Sequence, residues 1–342
     1  MSKPPVNELR ASQMRRAAEL YYEQAMGQAD VARMLGCSTA TVSRLLAGAQ
    51  EQGIVRIQIQ RAGQRVPEVE RALRARFGLR EAVVVPGRGS SESDLRAVGQ
   101  AAAEVLLGSI QPNVKIGITW GQTLAQMVQA LYENGREPAN LDGVEVLQLS
   151  GSLGEGDPSV DGPQLAMRLA DCFGGVCRLV PAPALMHSTD LARALLEQPQ
   201  IRAALARAAH PDIVVQGVGA LDPALCSLTR AGYLSDDDRR QAQAAGAVGH
   251  LFARMVDAHG GEVGGFDSRV IAVPIAAIRR ARISIGITAS AAKVPAILAA
   301  LRARVFNTLV VDEPSARQVL KLADAPDAAD RSTRLALAES IA

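Results

Sequence analysis

Four short apolar runs in this chain each close on a loop of small and hydroxylated residues, and that recurrence narrows the fold more than any other feature. Residues 114–118 lead into Thr119, Trp120, Gly121, Gln122 and Thr123. Residues 144–149 lead into Ser150, Gly151, Ser152, Leu153 and Gly154. Residues 213–216 lead into Gly217, Val218, Gly219 and Ala220, and residues 283–287 into Thr288, Ala289 and Ser290. Helical patterns follow several of these loops, over 124–132, 163–173 and 293–301. The same alternation is present upstream, with a charged helix over 67–77, a strand over 82–86 and an alanine-rich helix over 94–110. It ends with a strand over 308–311 and a helix from Ser315. Strands alternating with helices predict an α/β domain built on a mostly parallel sheet with helices on both faces.

In such a sheet the ligand crevice lies beyond the carboxyl ends of the strands. Glycine there lets the backbone approach a ligand, and hydroxyls and N–H groups can hold phosphate oxygens. None of the loops is a GxxxxGK[ST] or GxGxxG, so a nucleotide site is not indicated. Lys293 starts a helix, where the helix dipole disfavours a cation unless an anion lies beside it. It is therefore either a contact to an anionic ligand or a solvated surface lysine. Asp157, Asp161, Asp257 and Asp267 are candidates for sugar hydroxyls or, equally, caps and turn residues. Trp120, the only tryptophan, either packs on the apolar face of a sugar or belongs to the core.

The first sixty residues read differently. A helix is expected over 9–26, then two short helices, 28–35 and 38–52, with Gly36 and Cys37 between them. This is helix-turn-helix spacing. Ala32 is small where the helices approach, Gly36 suits a turn of positive φ, and Val42 faces back into the angle. Val31, Leu35, Leu45 and Leu46 complete a small core. The opposite face carries Ser38, Thr39, Thr41, Ser43 and Arg44 at the start of the third helix, where a helix entering the major groove meets base edges. Arg44 suits guanine, threonine methyls suit thymine, and Gln28 suits the phosphate backbone. Residues 54–59 alternate like a short strand, and 60–66 read as a linker.

Charge agrees with that division. Residues 1–80 hold 13 Lys+Arg and 7 Asp+Glu, a balance of +6, so the rest of this 342-residue chain of net charge +2 carries −4. A uniformly basic coat protein is excluded, and 3% aromatics argues against a stacking platform for single strands. Cys37, Cys172, Cys177 and Cys226 form no CxxC, and the four histidines form no HxH or HxxxH, so reduced buried thiols and no metal or other cofactor are expected. No apolar signal core or membrane span is apparent, which makes a cytoplasmic location the expectation.

On these residues the chain resembles the SorC family of bacterial transcriptional regulators, from about Met14 to Leu320. The stretch LYYEQAMGQADVARMLGCSTATVSRLLAGAQEQGIVRIQI is similar to that family's helix-turn-helix. IGITWGQTL, SGSLGEGDPSVDG, VPAPALMHS, VVQGVGALDP and AAKVPAILAALRARVFNTLVVDEPSA are similar to its effector domain. The resemblance implies an all-α DNA-binding domain over 1–59. It implies an effector and oligomerisation domain over 63–342, similar in fold to glucosamine-6-phosphate deaminase and ribose-5-phosphate isomerase. It further implies a dimer or tetramer on palindromic double-stranded operator DNA, controlled by a sugar phosphate, sugar or polyol that is not turned over. Carried over, ligand contacts would fall on Thr119, Trp120, Gly121, Thr123, Ser150, Gly151, Gly217 and Gly219, with Lys293 facing phosphate; Asp161 joins them as the candidate already named for a sugar hydroxyl. One departure stands out: members often carry Gly-Gly before that lysine, where this chain has Ala289 and Ser290. The competing readings are a sugar-phosphate isomerase or deaminase with an added DNA-binding module, and an adaptor that has lost DNA contact. The first needs a general base beside the cradle, and the loops offer mostly Gly, Ser and Thr.

Overall fold

The computed structural model describes residues 6–24, 26–55, 65–133, 141–154 and 158–325. The chain divides into two compact units, residues 1–62 and 63–342.

The first unit contains α1 (Val6–Ala18), a π-helical turn (Glu19–Glu23), α2 (Gln28–Leu35) and α3 (Thr39–Glu51). The single helix expected over 9–26 is thus interrupted. The Gln24 N–H reaches back five residues to the Glu19 carbonyl at 3.1 Å, one residue wider than an α-turn. Through this wider turn Leu20 joins Met14 and Ala17 in the core. α2 ends at Gly36, whose φ of +64° is readily available only to glycine. α3 starts at Ser38, whose Oγ accepts the Thr41 N–H at 3.2 Å. Val31, Ala32, Val42 and Leu46 are buried between the helices, whereas Leu35 and Leu45 are half-buried at the edge. Of the strand expected over 54–59, Ile54 and Val55 form a bend, and 56–59 lie outside the described residues.

The linker expected over 60–66 is shorter at its far end, and 60–64 lie outside the described residues. Val66 is buried and its N–H bonds the Val84 carbonyl at 3.0 Å. Arg65 forks onto Glu70 at 2.7 and 3.1 Å. An apolar side chain and a bidentate ion pair tie this segment to the second unit.

The described residues of the second unit form ten strands: β1 (Glu81–Val85), β2 (Lys115–Ile118), β3 (Glu145–Gln148), β4 (Val176–Arg178), β5 (Ile213–Gln216), β6 (Gly219–Ala220), β7 (Ala247–Leu251), β8 (Arg254–Asp257), β9 (Ile283–Thr288) and β10 (Thr308–Asp312). Seven form one sheet in the order β1-β10-β9-β5-β2-β3-β4, and every pairing in it is parallel. β6, β7 and β8 form a separate antiparallel sheet. Helices α4 (Pro67–Phe77), α5 (Ser91–Leu107), α6 (Gln122–Glu133) and α7 (Gly162–Asp171) follow the expected alternation. α5 starts a turn earlier than its alanine run suggests, because the Ser90 Oγ caps it by accepting the Ser93 N–H.

Alternate residues of each strand enter two cores. Val83, Ile116, Ile118, Val215 and Ile285 pack under α5, α6 and α7. Val84, Leu147, Val214 and Leu309 pack under α4, the helix Val294–Arg302 and the small sheet. A sheet covered on both faces has nearly all-apolar strands, which is why the runs were legible in the sequence. β4, the helices Thr189–Leu196 and Pro199–Ala208, and the small sheet were not. Among the described residues no helix is long and apolar enough to cross a membrane.

Candidate ligand cleft and nucleic-acid interface

The sheet reverses its winding between β2 and β5, which pair at Ile116↔Ile213 and Ile118↔Val215. The chain leaves β2 toward β3 on one side and leaves β5 toward β9 on the other, so their two loops diverge and open a crevice. Thr119, Trp120, Gly121 and Thr123 after β2 line it, as do Gly217 and Gly219 after β5, and Lys293 joins them. The space between the lining atoms, open mouth included, is about 510 Å³. Gln122, Thr123 and Leu124, the first turn of α6, form one lip, a helix start suited to an anion.

Trp120 belongs to the core and also borders the cleft. It is buried in the core, its Nε1–H donates to the Ser227 Oγ at 3.1 Å, and it lines the cleft. Ser150, Gly151 and Asp161 do not line the cleft. Ser150 is fully buried. The Gly151 N–H bonds the Ile271 carbonyl at 2.8 Å, and a Cβ there would fall 2.2 Å from the Pro183 carbonyl oxygen. Asp161 caps α7, and its carboxylate accepts the N–H groups of Leu153, Gly154 and Gly162 at 2.7 to 3.2 Å. The loop after β3 is therefore folded against its neighbours, and its small residues serve packing. Asp257 accepts the His259 and Gly261 N–H groups in a turn. Asp267 lies 3.9 Å from Arg254, with burial and Glu262 pushing its carboxyl up to about 6. Asp157 lies outside the described residues.

Two cations face the cleft. Lys293 closes a 3₁₀ turn (Ala291–Lys293) before the helix Val294–Arg302. Burial pushes its ammonium down to about 8, and the Arg230 charge acts in the same direction. Neither Lys293 nor Arg230 makes an ion pair or side-chain hydrogen bond to another described residue. Arg230, with Ser227 and His250, was not found from the sequence. These residues lie on a four-residue helix (Ser227–Arg230) and on β7, whose patterns carry no ligand signature.

A second hollow adjoins the first and shares Gln122, Leu225 and Lys293 with it. It is lined by Ser90, Ser91, Asp94, Ser290 and Asp312. Ser290 holds a φ of +107°, in the region that favours glycine. The Asp312 carboxylate fixes it, accepting the Ser290 N–H at 3.0 Å. A side chain in that region of backbone space costs about 1–3 kcal/mol. Ser290→Gly is expected to raise the melting temperature by roughly 5 °C, read by calorimetry; a fall would show that Ser290 is unstrained. The thiols also differ from expectation: only Cys226 is buried, and Cys37, Cys172 and Cys177 are half-buried. Among the described residues no group of three or more His, Cys, Asp or Glu could hold a metal.

In the first unit, Ser38, Thr39, Ser43 and Arg44 are exposed on α3, Thr41 is half-buried, and Gln28 is exposed at the start of α2. Ser38 and Thr41 are joined through their hydroxyls at 2.9 Å, so capping occupies them in part. The Arg44 Nε donates to the Ala40 carbonyl at 3.3 Å, which holds the side chain along the helix with no carboxylate among the described residues paired to it.

Residues 64–321 match the Sugar-bind family, whose description reads "Putative sugar-binding domain". The chain is 32% identical over 320 residues to the sorbitol operon regulator of Klebsiella pneumoniae, covering 89% of this chain and 96% of that one. It is 28% identical over 313 residues to the transcriptional regulator LsrR of Enterobacter sp. (strain 638), covering 90% and 92%. The crystal structure of the full-length sorbitol operon regulator SorC from Klebsiella pneumoniae superposes with a TM-score of 0.68 at 28% identity, over 91% of this chain and 99% of that one. These relatives are named as regulators and not as enzymes, which sets aside the isomerase or deaminase reading. A family match over most of the second unit, together with whole-length likeness to regulators that spans both units, places this chain in the SorC family of transcriptional regulators.

Proposed function

We propose that the cleft between the β2 and β5 loops takes a phosphorylated sugar or a closely related polyol phosphate, and that its occupancy controls binding of α3 to operator DNA. The observation that carries this reading is the pair of cations, Lys293 and Arg230, facing one hollow without a carboxylate partner among the described residues. Two unpaired like charges at a helix-start cradle are unfavourable alone and become favourable when an anion sits between them. Thr119 and Thr123 supply hydroxyls, and the first turn of α6 supplies N–H groups. A ligand shifts the DNA-binding equilibrium only as far as it prefers one arrangement of the protein. In this reading the protein acts as a dimer or tetramer, so that paired α3 helices meet two half-sites.

A thermal-shift screen of the full chain against inorganic phosphate, sugar phosphates, free sugars and polyols tests the ligand class. A phosphorylated compound should raise the melting temperature, by mass action, more than its unphosphorylated parent. A larger rise with the free sugar would overturn the anionic reading. For the DNA side, the operator is first selected from a random duplex library. Arg44→Ala should then weaken binding to the selected duplex by about 1–3 kcal/mol. Unchanged affinity in a gel-shift titration would remove Arg44 from base readout.

A further inference from the structure

One side chain that lines this cleft beside the two cations has no assigned task. His250, on β7, is 2% exposed and lines the same cleft; the weakly bonding Cys226 thiol adjoins it, and no nitrogen or oxygen of a described residue bonds either ring nitrogen. A buried imidazole always carries at least one nitrogen able to donate and, when neutral, one able to accept, and leaving both unmet is unfavourable. Its surroundings explain why the protein does not meet them. On one side Gly219 gives no side chain: a Cβ there would lie 2.0 Å from the His250 Nε2, so only glycine permits the ring to sit where it does. On another side is Cys226, a buried thiol. Burial pushes that thiol up, but the adjoining His250 and the Thr229 hydroxyl pull it down further, to about 6. The ring also borders the cleft that Lys293 and Arg230 line.

We propose that His250 is a specificity-determining contact of this cleft, which makes a hydrogen bond to an oxygen of the bound sugar derivative. The proposal rests on the anionic reading above and narrows it. The ligand must carry, besides its phosphate, an oxygen that reaches the cleft floor, and an analogue lacking that oxygen is rejected because the imidazole stays unpaired. Gly219 then has a positioning role, since any side chain there would displace the ring.

The test uses the full chain and the fluorescence of Trp120, the only tryptophan, which lines the cleft. Wild type, Lys293→Met, His250→Leu and His250→Asn are titrated with inorganic phosphate, glucose 6-phosphate, fructose 6-phosphate and ribose 5-phosphate. His250→Leu should bind the sugar phosphate preferred by wild type at least tenfold more weakly, and His250→Asn, which keeps a donor and an acceptor, should recover part of the loss. Wild-type affinity in His250→Leu, with Lys293→Met impaired, would overturn the role of His250 and leave the anion site standing. No binding of any probe by wild type, or full affinity in Lys293→Met, would sink both. If the histidine variants do not fold, ¹⁵N-histidine spectra of wild type decide. The His250 ring signals must move on addition of the preferred sugar phosphate, and unmoved signals overturn the proposal.

Discussion

Lys293→Met is expected to weaken binding of inorganic phosphate and of sugar phosphates by at least roughly thirtyfold while making the unliganded protein more stable. The first effect follows from removing one of the two cations that face the bound anion, Lys293 being half-buried, which costs about 2 kcal/mol. The second follows from the position of the ammonium. Burial lowers it to about 8, with Arg230 adding to the shift, so at neutral pH the folded chain carries a proton that its surroundings resist. Between about pH 8 and the ordinary lysine range near 10.4 the unfolded chain binds the proton that the folded chain has lost, so stability rises with pH across that window. Below about 8 the whole penalty is present. Methionine removes it, for a gain of about 1–3 kcal/mol, and should abolish the slope. Ligand affinity in wild type should fall as pH rises past 8, because the cation that holds the anion is then lost. Calorimetric melts of both proteins from pH 7 to 10, with and without phosphate, check all of these points. A Lys293→Met protein that is less stable than wild type at pH 7, or that binds phosphate equally well, would contradict the account of the cleft.

Gly99→Val should destabilise the second unit and disturb the cleft together. Gly99 lies in the middle of α5, where α6 approaches so closely that a Cβ would fall 2.5 Å from the Gln126 Cβ, 2.7 Å from the Gln126 carbonyl carbon and 2.9 Å from the Met127 nitrogen. Two of those three atoms are backbone, so the contact cannot be relieved by a rotamer change, and α6 must move. Overpacking of this kind costs about 1–3 kcal/mol, or roughly 5 °C in melting temperature. The same displacement reaches function, because the first turn of α6 is a lip of the cleft. The expected result is a lower melting temperature together with a weaker thermal response to phosphate. A variant with unchanged melting temperature and response would mean that the α5–α6 interface is looser than its geometry indicates.

The parts of this protein that were legible in the sequence are those in which local chemistry and final structure coincide. Strands buried on both faces must be apolar throughout, so β2, β3, β5, β9 and β10 announced themselves within a residue or two. Gly36 and Ser38 did so as well, because a left-handed turn and a helix cap each demand a residue type at one place. Loops of Gly, Ser and Thr were also visible, but their composition has two causes that a sequence does not separate. After β2 and β5 it leaves room for a ligand. After β3 it lets Gly151 pass against Pro183 and lets the Asp161 carboxylate close a turn. Only the strand order decides between them, since it alone sets which loops diverge. The same holds for Arg230 and His250: each is brought to the cleft by elements far along the chain, from a four-residue helix and from a small antiparallel sheet. The sequence by itself determined a parallel α/β unit behind a helix-turn-helix, because backbone geometry and burial are read residue by residue. The tertiary structure alone decided which polar groups share one cleft, because a charge left without a partner depends on what the rest of the fold brings near it.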